Sequence, residues 1–564
     1  MPSAMNPPRP LPAGEFDVLV VGGGINGAGI ARDLAGRGLS VCLVEQDDLA
    51  AHTSSASTKL IHGGLRYLEH REFGLVRKAL GEREVLLKSA PHIMWPLRFV
   101  LPHDPSMRPA WLIRLGLFLY DHLARREVLP GSHGLDLRRS ALGVPLLPHL
   151  KRGFVYSDGW VDDARLVVLN AIDARERGAT VLTRTRCVRA ERGATHWRVT
   201  LADTRQAPGS ADAGVDVVHG QPGAVQHVRA RALVNAAGPW AERFLRDVAQ
   251  AKAGERLANR SLRLVKGSHI VVPRQFDHDH AYIFQSPDGR IVFAIPYERD
   301  FTLIGTTDQE VKGDPRDARC EADEVAYLCE QASRYLARPI RPADVVWTYS
   351  GVRPLLDDAS GDPSAVTRDY LLEQDTQAAH LMTVWGGKIT TFRQLAEDAA
   401  DAICRQLGEQ GEARRAWTRG ASLPGGDLSG WIRVKGRPDE DIAAFVLAVR
   451  QRHPWLPAEL AHRLARAHGS RIELVLGEAQ RLSDLGEEIV PGVYEAELRH
   501  LQRSEWACSA DDVLWRRSKL GLHLTVAQRE AVAWWMAQHP WHPLRAAPAT
   551  SATLATPHRE ERRA

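Results

Sequence analysis

Cysteine is scarce in this sequence, with six residues in 564, and no two of them form a Cys-x-x-Cys pair. Cys42, Cys187, Cys320, Cys329, Cys404 and Cys508 are scattered, which supports neither a dithiol redox motif nor a zinc site. No metal is expected. Sparse cysteine in a long chain fits a reducing cytosol, and Cys42, inside an apolar run, reads as a small core residue. Long apolar stretches are missing as well. No run approaches the ~18 residues of a membrane-spanning helix. The opening MPSAMNPPRPLPAGE lacks the apolar segment of a signal peptide and reads as a disordered, proline-rich leader over residues 1–15. Excess charge is absent too: the net value is +4, so charge gives no ground for a nucleic-acid partner. Local basic clusters can still meet an anionic membrane surface or an anionic ligand.

What is present is an ordinary globular composition, 44% hydrophobic and 25% charged, in a chain long enough for more than one domain. Phe16–Val21 is a short apolar, β-branched run, the mark of a buried strand. Ile25–Arg37 is helix-like, Gly38 stands where a helix C-terminus uses glycine, and Leu39–Val44 is a second strand. This βαβ unit implies a parallel sheet with helices on its faces. Further strand-like runs occur at Thr180–Arg189, His196–Leu201 and Val228–Asn235, with a Gly/Ala/Asp-rich loop near 204–223. Ser268–Val272, Arg290–Ile295 and Thr302–Gly305 predict a second, mostly antiparallel sheet. Residues 76–150 read as helical stretches interrupted by prolines. Past about residue 405, Asp441–Arg450, Ala458–His468 and Tyr494–Arg503 carry apolar residues at helical spacing.

Between the first two strands lies Gly22-Gly23-Gly24-Ile25-Asn26-Gly27, a GxGxxG pattern that follows a strand and opens a helix. Gly22 permits the tight turn, Gly24 lets backbone approach a pyrophosphate, and Gly27 lets helix and strand pack closely. The helix N-terminus offers free N–H groups to phosphates. Glu45 ends the next strand and can accept from ribose hydroxyls, which disfavours a 2′-phosphate and hence NADP. The pattern by itself does not separate NAD from FAD. The stretch TSSASTKLIHGGLRY at 53–67 is small and polar, then glycine-bearing, then basic, and suits close backbone approach to a planar group. NAAGPW and VWGGKITT each run from a strand through a glycine turn towards a helix.

These segments carry a resemblance. The motifs VVGGGINGAGIARDLAGRGLSV, TSSASTKLIHGGLRYLEH, RPAWLIRLGLFLYDHL, YSDGWVDDARLV, NAAGPW, KGSHIVVP, IGTTD, WTYSGVRPL, WGGKITTFR and DDVLWRRSKLGL resemble the aerobic, FAD-dependent glycerol-3-phosphate dehydrogenases, within the wider D-amino-acid-oxidase-like flavoproteins. The likeness spans roughly residues 16–540. It implies an α/β fold: a Rossmann-like FAD-binding domain, an antiparallel-sheet substrate domain and a C-terminal helical domain. The expected division is an oxidoreductase domain over 16–404, a helical domain over 405–542 and a disordered tail over 543–564. Within the first, FAD-binding segments fall at about 16–75, 155–260 and 345–404, and substrate-side segments at about 76–154 and 261–344.

The resemblance further implies oxidation of sn-glycerol 3-phosphate to dihydroxyacetone phosphate. Electrons would pass through FAD to membrane quinone, in a homodimer attached peripherally to the cytoplasmic face of the membrane. On that reading FAD is held by Gly22, Gly24, Asn26, Gly27, Glu45, Ser54, Ser55, Lys59, His62, Gly63, Gly64, Ala237, Gly238, Gly386, Gly387, Lys388 and Thr390. Arg66 and Arg353 bind the phosphate dianion, for which a planar guanidinium fork is suited. Lys388, with the helix N-terminus behind it, faces the edge of the flavin that gains negative charge on reduction. A neutral histidine suits removal of the C2 hydroxyl proton near pH 7. His269 is preferred for that task, with His62 as the alternative. Residues 108–126 combine an apolar element with basic ends, which fits either a membrane interface or a buried core helix. Two competing readings are an oxidase passing electrons to oxygen and a non-catalytic flavin-binding protein.

Overall fold

In a computed structural model the described residues are 14–69, 71–104, 109–204, 225–250, 257, 260–357, 369–409 and 411–540. Nearly all of the expected leader, the loop near 204–223 and the expected tail lie outside them. The chain opens with β1 (Glu15–Val21), α1 (Ile25–Gly36) and β2 (Val41–Val44). β1 pairs in parallel with β2 on one side and with Val225–Asn235 on the other; His380–Trp385 continues the sheet in parallel. Alternation sorts the side chains of this sheet. Val18, Val20, Val41 and Leu43 face α1 and the helices Asp163–Glu176 and Phe392–Gln406, whereas Leu19, Cys42 and Val44 face Trp197, Phe244 and Trp385. Burying each such aliphatic side chain contributes roughly 1.5–3 kcal/mol. Burial pushes the Cys42 thiol up to about 12, consistent with an inert core residue.

The run Thr180–Arg189 divides in two. Thr180–Leu182 joins β2 in parallel, Arg184 takes a left-handed turn at φ 52°, and Thr185–Arg192 pairs antiparallel with Trp197–Asp203.

A second sheet of ten described strands is mostly antiparallel. Near one edge of it runs the long strand Leu262–Pro273, between Phe301–Gly305 and the edge strand Trp347–Leu356. This register sets His269 opposite Gly305 on one side and Tyr349 on the other. Trp347–Leu356 therefore belongs to the second sheet, although it follows the expected division at about residue 345. Leu60–Ile61 and Arg152–Val161 also belong to it, as does Met94–His103 within the region expected to be helical. The prolines that obscured Met94–His103 have small partners: Pro96 lies opposite Gly159 and Pro102 opposite Gly153.

The C-terminal unit is helical. Pro438–Arg452, Ala458–His468, Glu495–Glu505 and Val526–Gln538 supply Phe445, Leu464, Leu498 and Trp535 to its two apolar clusters. The expected fold class holds. Among the described residues no helix is long and apolar enough to cross a membrane.

Candidate cofactor and active site

The glycine turn after β1 has no room for side chains. Gly22 has φ +113°, and a Cβ there would lie 2.4 Å from the Ala236 carbonyl oxygen. A Cβ on Gly27 would lie 1.9 Å from the carbonyl oxygen of Gly22. The turn is braced from two directions: Gly23 N–H donates to Glu45 at 2.6 Å and Ile25 N–H donates to the Ser54 hydroxyl at 3.0 Å. Burial raises the Glu45 pKa, opposed by the N–H donors of Asp47 and Gly23, which favour the anion.

A cleft of about 340 Å³ opens above this turn. It is lined by Gly22, Gly24, Asn26, Glu45 and Ser54, and by Ala237, Gly238, Gly386 and Gly387 from two distant segments. Asn26 joins two walls by donating to the Gly386 carbonyl at 3.1 Å, while its Oδ1 is buried with no partner among the described residues. A side-chain-free glycine turn, an acidic residue at the end of β2 and an unused amide oxygen fit the dinucleotide of FAD.

Of residues 53–67, Thr53 and Ser54 line the cleft. Lys59 corrects the expectation of a cofactor contact. Its ammonium, 1% exposed, donates to both Asp163 oxygens at 2.8 and 3.0 Å and to the Ser55 carbonyl at 3.1 Å. All three donors are consumed, so Lys59 anchors the loop. Ser55 closes its own turn onto the His52 carbonyl at 3.2 Å. Asp163 also accepts from the Ser57 hydroxyl at 2.7 Å. Asp163→Asn would leave the Lys59 charge buried against a neutral partner. A loss of about 3–5 kcal/mol in stability is expected, read as a lower thermal midpoint together with loss of FAD on gel filtration. An unchanged midpoint would contradict the anchor.

Further along, His62 N–H donates to the Thr390 hydroxyl at 3.1 Å, and Gly63 N–H donates to the Tyr120 hydroxyl at 2.8 Å. Tyr120 and Arg83 both bond Asp158, at 2.7 and 2.6 Å, all three buried. The Lys388 ammonium stands 3.8 Å over the Tyr67 ring. Neighbouring Arg66 is half-buried, and its guanidinium makes no hydrogen bond or ion pair among the described residues.

His269 and Arg353 meet on the second sheet. The His269 ring is buried, 2.9 Å by Nε2 from the Thr58 hydroxyl, and lies flat on Tyr349 with centroids 4.7 Å apart. A Cβ at Gly305 would lie 2.1 Å from the ring, so only glycine fits opposite it. Burial, aided by the charges of Arg353 and Lys59, holds the His269 pKa well below its ordinary value. Arg353 bonds the Asp308 carboxylate and donates to the Thr306 hydroxyl at 3.1 Å. The structure thus gathers Arg353 with His269, and Lys388 with the Arg66–Tyr67 turn.

The protein-family model described as FAD dependent oxidoreductase matches residues 17–393, and the C-terminal domain of alpha-glycerophosphate oxidase matches 416–540. Glycerol-3-phosphate dehydrogenase of Pseudomonas aeruginosa is 49% identical over 96% of this chain and 99% of its own. D-erythritol 1-phosphate dehydrogenase of Brucella abortus is 48% identical over 92% of this chain and 97% of its own. The structure of the Bacillus halodurans glycerol-3-phosphate dehydrogenase complexed with FAD superposes with a TM-score of 0.72 at 26% identity, covering 93% of this chain and 91% of that one. The chain belongs to the FAD-dependent glycerol-3-phosphate dehydrogenase family. FAD is its cofactor.

Several residues that shape this family member's site lie in legible motifs that give them no role. Asp163, Asp158, Asp308 and Tyr349 act through partners far away along the chain. So does Glu324, buried at the start of helix Ala322–Ser333. Its carboxylate accepts from Ser268 at 2.8 Å and from Thr307 at 2.7 Å, and pairs with Lys266 at 2.7 Å. One acidic group therefore ties the strand of His269 to the loop of Asp308. IGTTD and KGSHIVVP are legible as motifs, but the group joining them is not.

Proposed function

We propose that this protein oxidises sn-glycerol 3-phosphate to dihydroxyacetone phosphate and delivers the electrons to membrane quinone. The observation that carries the reading is the pairing of a buried, neutral His269 with Arg353, whose guanidinium already holds an anion, the carboxylate of Asp308. Arg353 and Arg66, the latter unengaged among the described residues, supply planar donors for the phosphate dianion. His269 accepts the proton of the C2 hydroxyl, with its Nε2 held 2.9 Å from the Thr58 hydroxyl. FAD, when bound, supplies the two-electron acceptor for the C2 hydride. Lys388, held against Tyr67, brings positive charge to the same end of the site and favours the negative charge that reduction creates.

The helix Ala110–His122 supports peripheral membrane attachment. Ile113, Leu117 and Tyr120 are buried, while Trp111 is 67% and Phe118 50% exposed beside exposed Leu112, Leu115 and Leu119. One face of the helix is thus core, and the other is an exposed apolar surface of the kind an interfacial helix presents. An apolar outer face with Arg114 and Arg125 nearby suits an anionic bilayer surface. On this reading the protein works on the cytoplasmic side of the membrane, as a homodimer.

A second reading concerns substrate length. The Brucella abortus relative named for D-erythritol 1-phosphate is about as similar as the glycerol-3-phosphate dehydrogenase. Turnover of both phosphates with a soluble ubiquinone analogue, against oxygen with peroxide detection, tests these readings together. Faster turnover of glycerol 3-phosphate with quinone, and little peroxide, is expected. Preference for the four-carbon phosphate would reassign the substrate, and stoichiometric peroxide would reassign the acceptor.

A further inference from the structure

The segment 511–522 belongs to the C-terminal unit, yet its ion pairs reach into the oxidoreductase unit. Arg517 pairs with Asp48 at 2.7 Å, with both side chains at most 1% exposed. Arg516 reaches the same carboxylate at 2.6 Å, and Lys519 stands 3.8 Å from Asp162. Asp48 lies just beyond Glu45 of the cleft, and Asp162 precedes the loop anchor Asp163. This clamp presents Trp515 from the π-helical turn Asp512–Arg517. Such turns are rare and recur at functional sites.

Trp515 starts a row of rings. Its indole stacks on Trp347 with centroids 4.4 Å apart and planes at 17°. Trp347 and Tyr349, two residues apart on one face of their strand, lie 5.1 Å apart. Tyr349 stacks on His269 at 4.7 Å and 11°. Space for Trp515 depends on Gly521, where a Cβ would lie 2.4 Å from the indole. Tyr349 is pinned from its other end by donating to the Ser57 carbonyl at 2.8 Å, and the Lys59 ammonium lies 5.0 Å from its ring.

We propose that Trp515 is a positioning residue for the reaction: through Trp347 and Tyr349 the C-terminal unit holds the His269 imidazole in its reactive orientation. The inference rests on the reading of His269 as the base. The row is continuous, and only His269, at its end, is assigned to the chemistry. A flat ring with one unsupported face can tilt, and a misplacement of about 1 Å at a reacting group costs on the order of 10²-fold in rate. The charged groups that face the imidazole are Arg353 on the adjoining strand and Lys59, paired with Asp163, on the loop. Neither is touched by a change at Trp515.

The test is anaerobic stopped-flow reduction of the purified holoenzyme by glycerol 3-phosphate, expressed per bound FAD. Trp515→Leu keeps apolar bulk but removes the stack. It is expected to slow reduction roughly 10- to 100-fold, with FAD content and the substrate concentration for half-maximal rate unchanged. The acid limb of the rate should move towards higher pH as water reaches the ring. Trp515→Phe should restore most of the rate. In a His269→Asn background, Trp515→Leu should add nothing, because the group it positions is gone. Multiplying effects in the double variant would overturn the coupling. So would Trp515→Leu lowering thermal stability alone, with rate and pH profile intact. If His269→Asn itself leaves reduction unchanged, the base assignment fails first. Should Trp515→Leu not fold, the pH profile of Trp347→Leu, set against Trp347→Phe, decides the same question.

Discussion

Arg353→Ala is expected to lower kcat/KM for glycerol 3-phosphate by roughly 30- to 5,000-fold, the equivalent of about 2–5 kcal/mol for a charge pair lost from a partly desolvated site. The effect has two sources. The dianion loses a planar pair of donors. Asp308, now without its guanidinium partner, stays behind as an uncompensated anion facing the incoming phosphate. The second source has a signature, because Asp308→Asn in the same background should recover part of the loss. Glycerol, which carries no phosphate, should lose far less than glycerol 3-phosphate. Steady-state kinetics on both substrates check this, and equal losses would remove Arg353 from the phosphate site.

His269→Asn is expected to slow anaerobic flavin reduction by about 10²- to 10⁴-fold, the usual contribution of a positioned base, while FAD remains bound. Its pH dependence follows from the direction of the shift. Burial disfavours the imidazolium, so the folded-state pKa lies below the ordinary ~6.5. The base is therefore already neutral at pH 6.5, and the rate should hold level as pH falls from 8 to about 6.5, declining only below that. Stability follows the same sign. Below about 6.5 the unfolded chain takes up a proton that the folded chain refuses, so folding weakens by up to about 1.4 kcal/mol per pH unit for this group. His92, His380 and His468 are shifted in the same direction and add to the slope, with His92 at about 3 and His380 at about 4. A rate that instead falls with an ordinary histidine midpoint, or a variant that reduces normally, would transfer the role to another group.

How much of this was legible in the sequence depends on distance along the chain. The βαβ unit and its glycine turn are local: apolar runs and glycine spacing lie within thirty-odd residues, and the structure reproduces β1, α1 and β2 almost residue for residue. The C-terminal helices share that legibility, with Ala458–His468 matching end to end. Strand pairing is a different matter. Only the register of the second sheet reveals that Trp347–Leu356 adjoins Leu262–Pro273, which places Tyr349 against His269. Met94–His103 was hidden because its prolines argue against a strand until their glycine partners are known. Lys59 was misread for a related reason. The resemblance implies a cofactor contact there, but the lysine's counter-charge, Asp163, lies 104 residues away. Charge balance in a buried site is a property of the fold, and composition around one residue does not contain it.

The central claim is that this site oxidises glycerol 3-phosphate using its own FAD. Anaerobic mixing of the purified holoenzyme with sn-glycerol 3-phosphate, with flavin absorbance and product both followed, tests it most directly. The account predicts full bleaching of the bound flavin, one dihydroxyacetone phosphate formed per FAD reduced, and no bleaching by glycerol at the same concentration. A flavin that stays oxidised with glycerol 3-phosphate, or is bleached equally well by glycerol, would contradict it.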